Sequence, residues 1–141
     1  MARSDMVLAA LAAAGEGRSF SPVQVQKLFF LLDREASHLV AGPHFNFQPY
    51  DYGPFDRDVY VELDALRFGG LVDTAGSSNY RRYALTPAGF EAGCQVLATW
   101  SEDARVYAAQ VVQWVQKLSF QQLVSSIYTK YPDMKVNSVF R

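Results

Sequence analysis

Cysteine is almost missing from this sequence. Cys94 stands alone, so no internal disulfide can form, and a lone thiol is the usage expected of a reducing, cytoplasmic setting. Set among helix formers, it reads as a small packed side chain. Histidine is nearly as scarce. His38 and His44 flank a loop, and no Cys or carboxylate cluster joins them at metal-ligand spacing, so no metal is expected. Long apolar runs are absent too: nothing approaches the roughly 20 residues of a membrane span, and no membrane partner is expected. The Ala/Leu-rich start, Val7 to Ala14, is short and follows only Arg3, with Asp5 nearby. It reads as part of the fold rather than as a secretory signal.

The signatures of catalysis are lacking as well. Asp33 and Glu35 occupy neighbouring helical positions that do not face each other. Ser37 and His38 are adjacent and cannot align as members of a triad. No glycine run is spaced to cradle a phosphate. The expectation is a non-enzyme that carries no cofactor.

A strong charge of either sign is also absent. Thirteen basic residues oppose 14 acidic ones, for a net charge of −1, which gives no overall bias toward nucleic acid or anionic membranes. The distribution is uneven. Residues 1–50 balance four basic with four acidic, residues 51–80 hold two against six, and residues 81–141 hold seven against four.

What is present is apolar and aromatic. Hydrophobic residues make up 50% of the 141 and aromatics 14%, enough for one domain with its own core. Ser4 can cap a first helix over residues 5–14, stopped by Gly15. Ser21 and Pro22 are a strong start signal for a second helix. Its stripe of Val25, Leu28, Phe29, Leu32, Ala36 and Leu39 predicts one buried face to about Val40.

Phe45 and Phe47 suggest a short extended arm, and Gly53-Pro54 reads as the opening of a third helix striped by Phe55, Val59, Leu63 and Leu66. Gly69-Gly70 ends that helix. Residues 71–74 and 80–85 then form a hairpin across residues 75–79. Thr86-Pro87, Ser101 and Ser119 start three further helices. The fold class is mainly α with a small β-hairpin wing. It comprises a winged helix-turn-helix core over residues 1–90 and a C-terminal helical extension over residues 91–141, packed together as one domain. The extension's stripes, Tyr107–Val111–Trp114–Leu118 and Phe120–Leu123–Ile127, must be covered by the core or by a homodimer partner.

Certain runs resemble a known group. Gln26-Lys27-Leu28-Phe29-Phe30-Leu31-Leu32, Pro49-Tyr50-Asp51-Tyr52-Gly53-Pro54-Phe55, Val59-Tyr60, Gly70-Leu71 and Tyr83-Ala84-Leu85-Thr86-Pro87-Ala88-Gly89 are similar to bacterial winged-helix proteins related to the Panacea-type (SocA-like) antitoxin domain. Ile127 to Pro132, with Asn137-Ser138, continues the likeness to the end of the chain. Phe55 after Gly-Pro, where Panacea domains carry a valine-type residue, brings the chain nearer to relatives with a Tyr-Gly-Pro-Phe signature. The resemblance implies a regulatory module that acts through protein contacts, with a toxin or defence component as its partner.

Two surfaces are candidates. The first is for a partner protein: Tyr50, Asp51, Tyr52 and Phe55 in the turn, with Asp58 and Glu62 on the outer face of the third helix. Aromatics are the residue types that interfaces favour. Asp51 can also cap the third helix. The second is for DNA, through Arg81 and Arg82 on the wing, where basic residues meet phosphate. Against DNA stand the acidic third helix and its lack of base-reading side chains.

Overall fold

A computed structural model describes residues 1–77 and 80–140, so the tip of the expected wing, residues 78 and 79, lies outside the described residues. The described chain is mainly helical, with two small antiparallel sheets.

Helix α1 (Arg3–Ala12) starts two residues before the expected position, and no side chain caps it. Its first residue explains the shift: Arg3 donates to the Glu62 carboxylate at 3.0 Å, so it is anchored from outside the helix. From Met6 to Ala12 every residue is buried. The small Ala side chains let neighbouring elements close in on all sides. A short strand β1 (Ser19–Phe20), too brief to be read from sequence, leads into α2 (Pro22–Ala36).

The Ser21 signal is realised as a full capping box with Gln24. The one-faced burial expected of α2 is not. Val25 through Leu32 are all buried, because α5 covers the side that a minimal core would leave to solvent. The helix ends at Ala36 rather than near Val40. There the Asp33 carboxylate pulls the following loop back, accepting the N–H groups of His44 at 2.9 Å and Phe45 at 2.8 Å.

The largest correction concerns Gly53-Pro54. These residues do not open a helix; they belong to strand β3 (Gly53–Phe55), which pairs antiparallel with β2 (Gln48–Tyr50) in the register Tyr50↔Gly53. The turn falls on Asp51 and Tyr52, and Gly53 carries it at φ +101°, a conformation that L side chains rarely adopt. Helix α3 (Asp58–Phe68) starts afterwards. Its first amide, that of Asp58, is held by the Asp56 carboxylate at 2.8 Å, so Asp56 does the capping expected of Asp51. Of the expected inward stripe, Val59, Leu63 and Leu66 are buried, whereas Phe55 lies in β3 and is only partly buried.

Strands β4 (Val72–Ala75) and β5 (Arg82–Leu85) pair antiparallel, and β1 joins β5 on its other side, giving the order β1-β5-β4. Helix α4 (Pro87–Leu97) begins at its Thr86 cap and lies against α1. A Cβ at Gly93 would come 2.5 Å from the Leu8 carbonyl oxygen, which is why the crossing needs glycine. Helices α5 (Glu102–Lys117) and α6 (Phe120–Lys130) start at Ser101 and Ser119 as predicted. A 3₁₀ turn (Pro132–Met134) follows, and then a tail with a further turn, closed by the Ser138 N–H donating to the Lys135 carbonyl at 2.9 Å.

One contiguous core takes residues from α1 through the Pro132–Met134 turn. A division at residue 90 would fall inside α4, which is packed on α1, so core and extension are not separable layers. The inner residues of the α5 and α6 stripes, including Val111, Val115, Leu123 and Ile127, are buried within the chain itself. No described helix is long and apolar enough to cross a membrane.

Candidate functional site

The N-terminal half of α2, the β2–β3 hairpin, Tyr60 of α3 and the α5–α6 junction surround an open groove of about 740 Å³. Aromatic side chains build its walls. On one side Tyr50 packs edge-on against Phe55, with centroids 5.2 Å apart, and Phe55 packs against Tyr60 at 5.8 Å. On the other, Tyr52 packs against Phe120 at 5.2 Å, and Phe120 against Phe140 at 6.0 Å. Tyr50, Tyr52 and Phe120 nevertheless remain 53%, 46% and 43% exposed. Large aromatics this accessible around one concavity are the uncommon feature.

Beneath the hairpin lie Gln26 and Lys27, which are 2% and 3% exposed. Gln26 forms a two-point pair with the backbone of Asp56: its Nε2 donates to the carbonyl at 3.0 Å, and its Oε1 accepts the N–H at 2.9 Å. The Lys27 Nζ donates to the Pro54 carbonyl at 3.1 Å. Among the described residues no carboxylate forms an ion pair with it. Burial without a counter-charge brings the Lys27 ammonium down to about 7. Burial also pushes the Tyr60 phenol up to about 12.

The hairpin is held from its other edge by the chain's tail. Asn137 Nδ2 donates to the Pro49 carbonyl at 3.0 Å, and the Val139 N–H donates to the Asp51 carbonyl at 3.0 Å. Tyr128 donates its hydroxyl to Ser138 Oγ at 2.6 Å. The turn is thus clamped between α2 and the tail, and its aromatics are presented on a fixed frame.

Of the sequence candidates, Tyr50, Asp51, Tyr52 and Phe55 come together in this groove. Asp58 and Glu62 do not join them. They face α1, where Arg3 bridges them at 3.5 and 3.0 Å. One guanidinium thus meets two carboxylates, which ties both to α1 and sets them apart from the groove, while the Asp58 side chain stays 56% exposed.

The wing arginines also separate. Arg82 is tied to Ser19, its guanidinium donating to the carbonyl at 3.0 Å and to the hydroxyl at 3.0 and 3.1 Å, and it stands on the groove's rim. Arg81 is partly buried, and among the described residues its Nε has no hydrogen-bond partner. They do not form a paired basic finger.

Sequence reasoning missed Gln26, Lys27 and Phe120 as site residues. For the first two a signal existed: two polar residues interrupt an apolar helical run whose burial on all sides requires them to find partners. Elsewhere His44 donates a ring N–H to the Val40 carbonyl at 2.7 Å, a structural role. No cluster of three or more potential metal ligands occurs among the described residues.

No protein-family model, curated protein or solved structure matches this chain significantly.

Proposed function

We propose that this chain is a non-catalytic regulatory module, antitoxin-like in kind, that binds a segment of another protein in the groove between the Tyr50–Phe55 hairpin and α6. The observation that carries the reading is the cluster of Tyr50, Tyr52 and Phe120, left exposed around a concavity on a rigid frame. Rigid aromatics lose little entropy when covered, and they dominate interface energetics. The element order α1-β1-α2-β2-β3-α3-β4-β5 is compatible with a winged helix in which β4–β5 would be the wing and β2–β3 an added hairpin. A toxin or defence component is the partner class that the family resemblance implies.

The alternative is a DNA-binding regulator that uses α3 and the wing. The same element order supports it. Less favourable are the ties of Arg82 to Ser19 and the carboxylates of Asp58, Glu62 and Asp64 along α3. The groove reading is therefore preferred.

The test is a pull-down from the native host with nuclease treatment, run in parallel with a Tyr52→Ala, Phe120→Ala double variant. A nuclease-resistant protein captured by the wild type and lost from the folded variant supports the module. DNA fragments of common sequence, released by salt and captured equally by the variant, would replace this reading with the second.

A further inference from the structure

We propose that Lys27 reads a carboxylate: the groove takes a partner peptide whose Asp or Glu side chain reaches the Lys27 amine while apolar neighbours cover Tyr52 and Phe120. This rests on the groove being the partner site.

The Lys27 amine is short of hydrogen-bond acceptors. An ammonium carries three donors, and among the described residues the Lys27 amine has one acceptor, the Pro54 carbonyl at 3.1 Å. It is buried to 3% exposure and has no ion-pair partner among the described residues, although it belongs to the groove lining. A buried amine left in this state is costly. A purely structural clamp on Pro54 would not require a charge.

Access is the second point. The residue beside the amine is Gly53; a Cβ there would stand 3.7 Å from the Nζ and 3.2 Å from Tyr128 Cε1. At that position the hairpin therefore lays only backbone beside the amine, with the Tyr128 ring next to it. Charge complementarity supplies the third. Among lining side chains, Lys27 and Arg82 are cationic and Asp51 alone is anionic, so an incoming carboxylate meets a net positive site.

Proton linkage follows. A carboxylate beside the amine favours its charged form, so binding raises the Lys27 pKa above its free value of about 7. Affinity is then greatest below pH 7 and falls as pH rises through the bound-state pKa. The other charged or titratable groups around the amine are Tyr50, Asp51 and Tyr52 on the hairpin, Tyr60 on α3, Arg82 on β5 and Tyr128 on α6. Lys27→Met leaves all of them in place and serves as the control for their contributions.

The experiment selects random peptides displayed on phage against the full chain at pH 6.5. It then measures synthetic peptides by calorimetry, each paired with its Asp→Asn or Glu→Gln counterpart. On the wild type the amide swap weakens binding about tenfold or more, the scale of a charge-assisted hydrogen bond. On Lys27→Met the swap changes affinity less than about twofold, and the pH dependence between 6 and 8.5 disappears. The swap tests the wild-type protein itself, so the result does not depend on the variant's stability.

Peptides that need Tyr52 and Phe120 but contain no acidic residue would overturn the role of Lys27 and leave the groove standing. So would peptides whose amide swap costs the same on Lys27→Met. A selection that yields no peptide, or only peptides indifferent to Tyr52→Ala with Phe120→Ala, would overturn both this inference and the groove itself.

Discussion

Gln26 and Asp56, 30 residues apart, are joined as two strands of a sheet would be, with the Gln26 carboxamide in place of a peptide group. The donor meets the Asp56 carbonyl at 3.0 Å and the acceptor meets its N–H at 2.9 Å. Lys27, the next residue, holds Pro54 by its carbonyl. Two consecutive polar residues of a buried helix thus hold the short segment that ends β3 and leads into α3.

Gln26→Leu should therefore do more than remove two hydrogen bonds. It fills the same space with methyl groups and leaves the Asp56 N–H and carbonyl without partners. At roughly 1–3 kcal/mol for each stranded buried group, the expected loss is about 3 kcal/mol in urea unfolding. A loss below about 1 kcal/mol would mean that water or a backbone shift readily replaces the carboxamide.

The Lys27 amine makes a prediction with a definite sign. Its folded-state pKa, about 7, lies below its ordinary value of 10.5, so between those values the unfolded chain binds more protons than the folded one. Stability should be nearly flat below pH 7 and rise above it, by up to about 1.4 kcal/mol per pH unit. The rise ends near pH 10, because burial raises the phenols of Tyr60 and Tyr131 in the folded state and their ionisation then favours unfolding. Lys27→Met should be more stable than wild type at pH 6–7 and should lose the slope. Unfolding titrations at pH 6, 7, 8 and 9 decide it, and a flat wild-type profile would refute the buried amine.

What the sequence made legible follows from how local each determinant is. Ser21, Thr86, Ser101 and Ser119 were readable as helix starts because a cap is made by one side chain with an amide three residues away. Gly53-Pro54 was misread because a helix start and a hairpin strand both accommodate that pair. The choice is made by the turn at Asp51-Tyr52 and by the tail that binds Pro49 and Asp51 from far along the chain. The turn aromatics of the groove were legible as candidates, whereas Phe120, supplied by α6, was not. The roles of Gln26 and Lys27 depend on partners 30 and 27 residues away. The placement of Asp58 and Glu62 against α1 depends in the same way on Arg3, which lies more than 50 positions earlier in the chain and pairs with both.

Gly93→Ala sets two effects against each other. Alanine in a helix interior gains about 1 kcal/mol over glycine. Its Cβ, however, would sit 2.5 Å from the Leu8 carbonyl oxygen and 2.7 Å from the Ala12 Cβ, so α1 and α4 must move apart. Overpacking of this kind costs about 1–3 kcal/mol, and here the obstacle is backbone, which cannot rotate away. Net destabilisation of about 1–2 kcal/mol is expected in urea unfolding. A stabilised variant would show that the α1–α4 crossing is loose.

Reversing Asp58 and Glu62 to lysine separates the function of α3 from its architecture. Both carboxylates contact Arg3, so the double variant replaces attraction with repulsion at a partly exposed site. A loss of about 1 kcal/mol in stability is expected, with groove binding unchanged. Adding Arg3→Glu restores opposite charges across α1 and α3 and should recover most of that loss, since the three side chains form one network. The readouts are urea unfolding and the affinity of a groove-selected peptide, measured on the same three proteins. If the double reversal abolished peptide binding while unfolding stayed at the wild-type midpoint, the partner surface would extend onto α3 after all. Recovery of stability by Arg3→Glu with constant peptide affinity would assign these two carboxylates to holding α1 against α3.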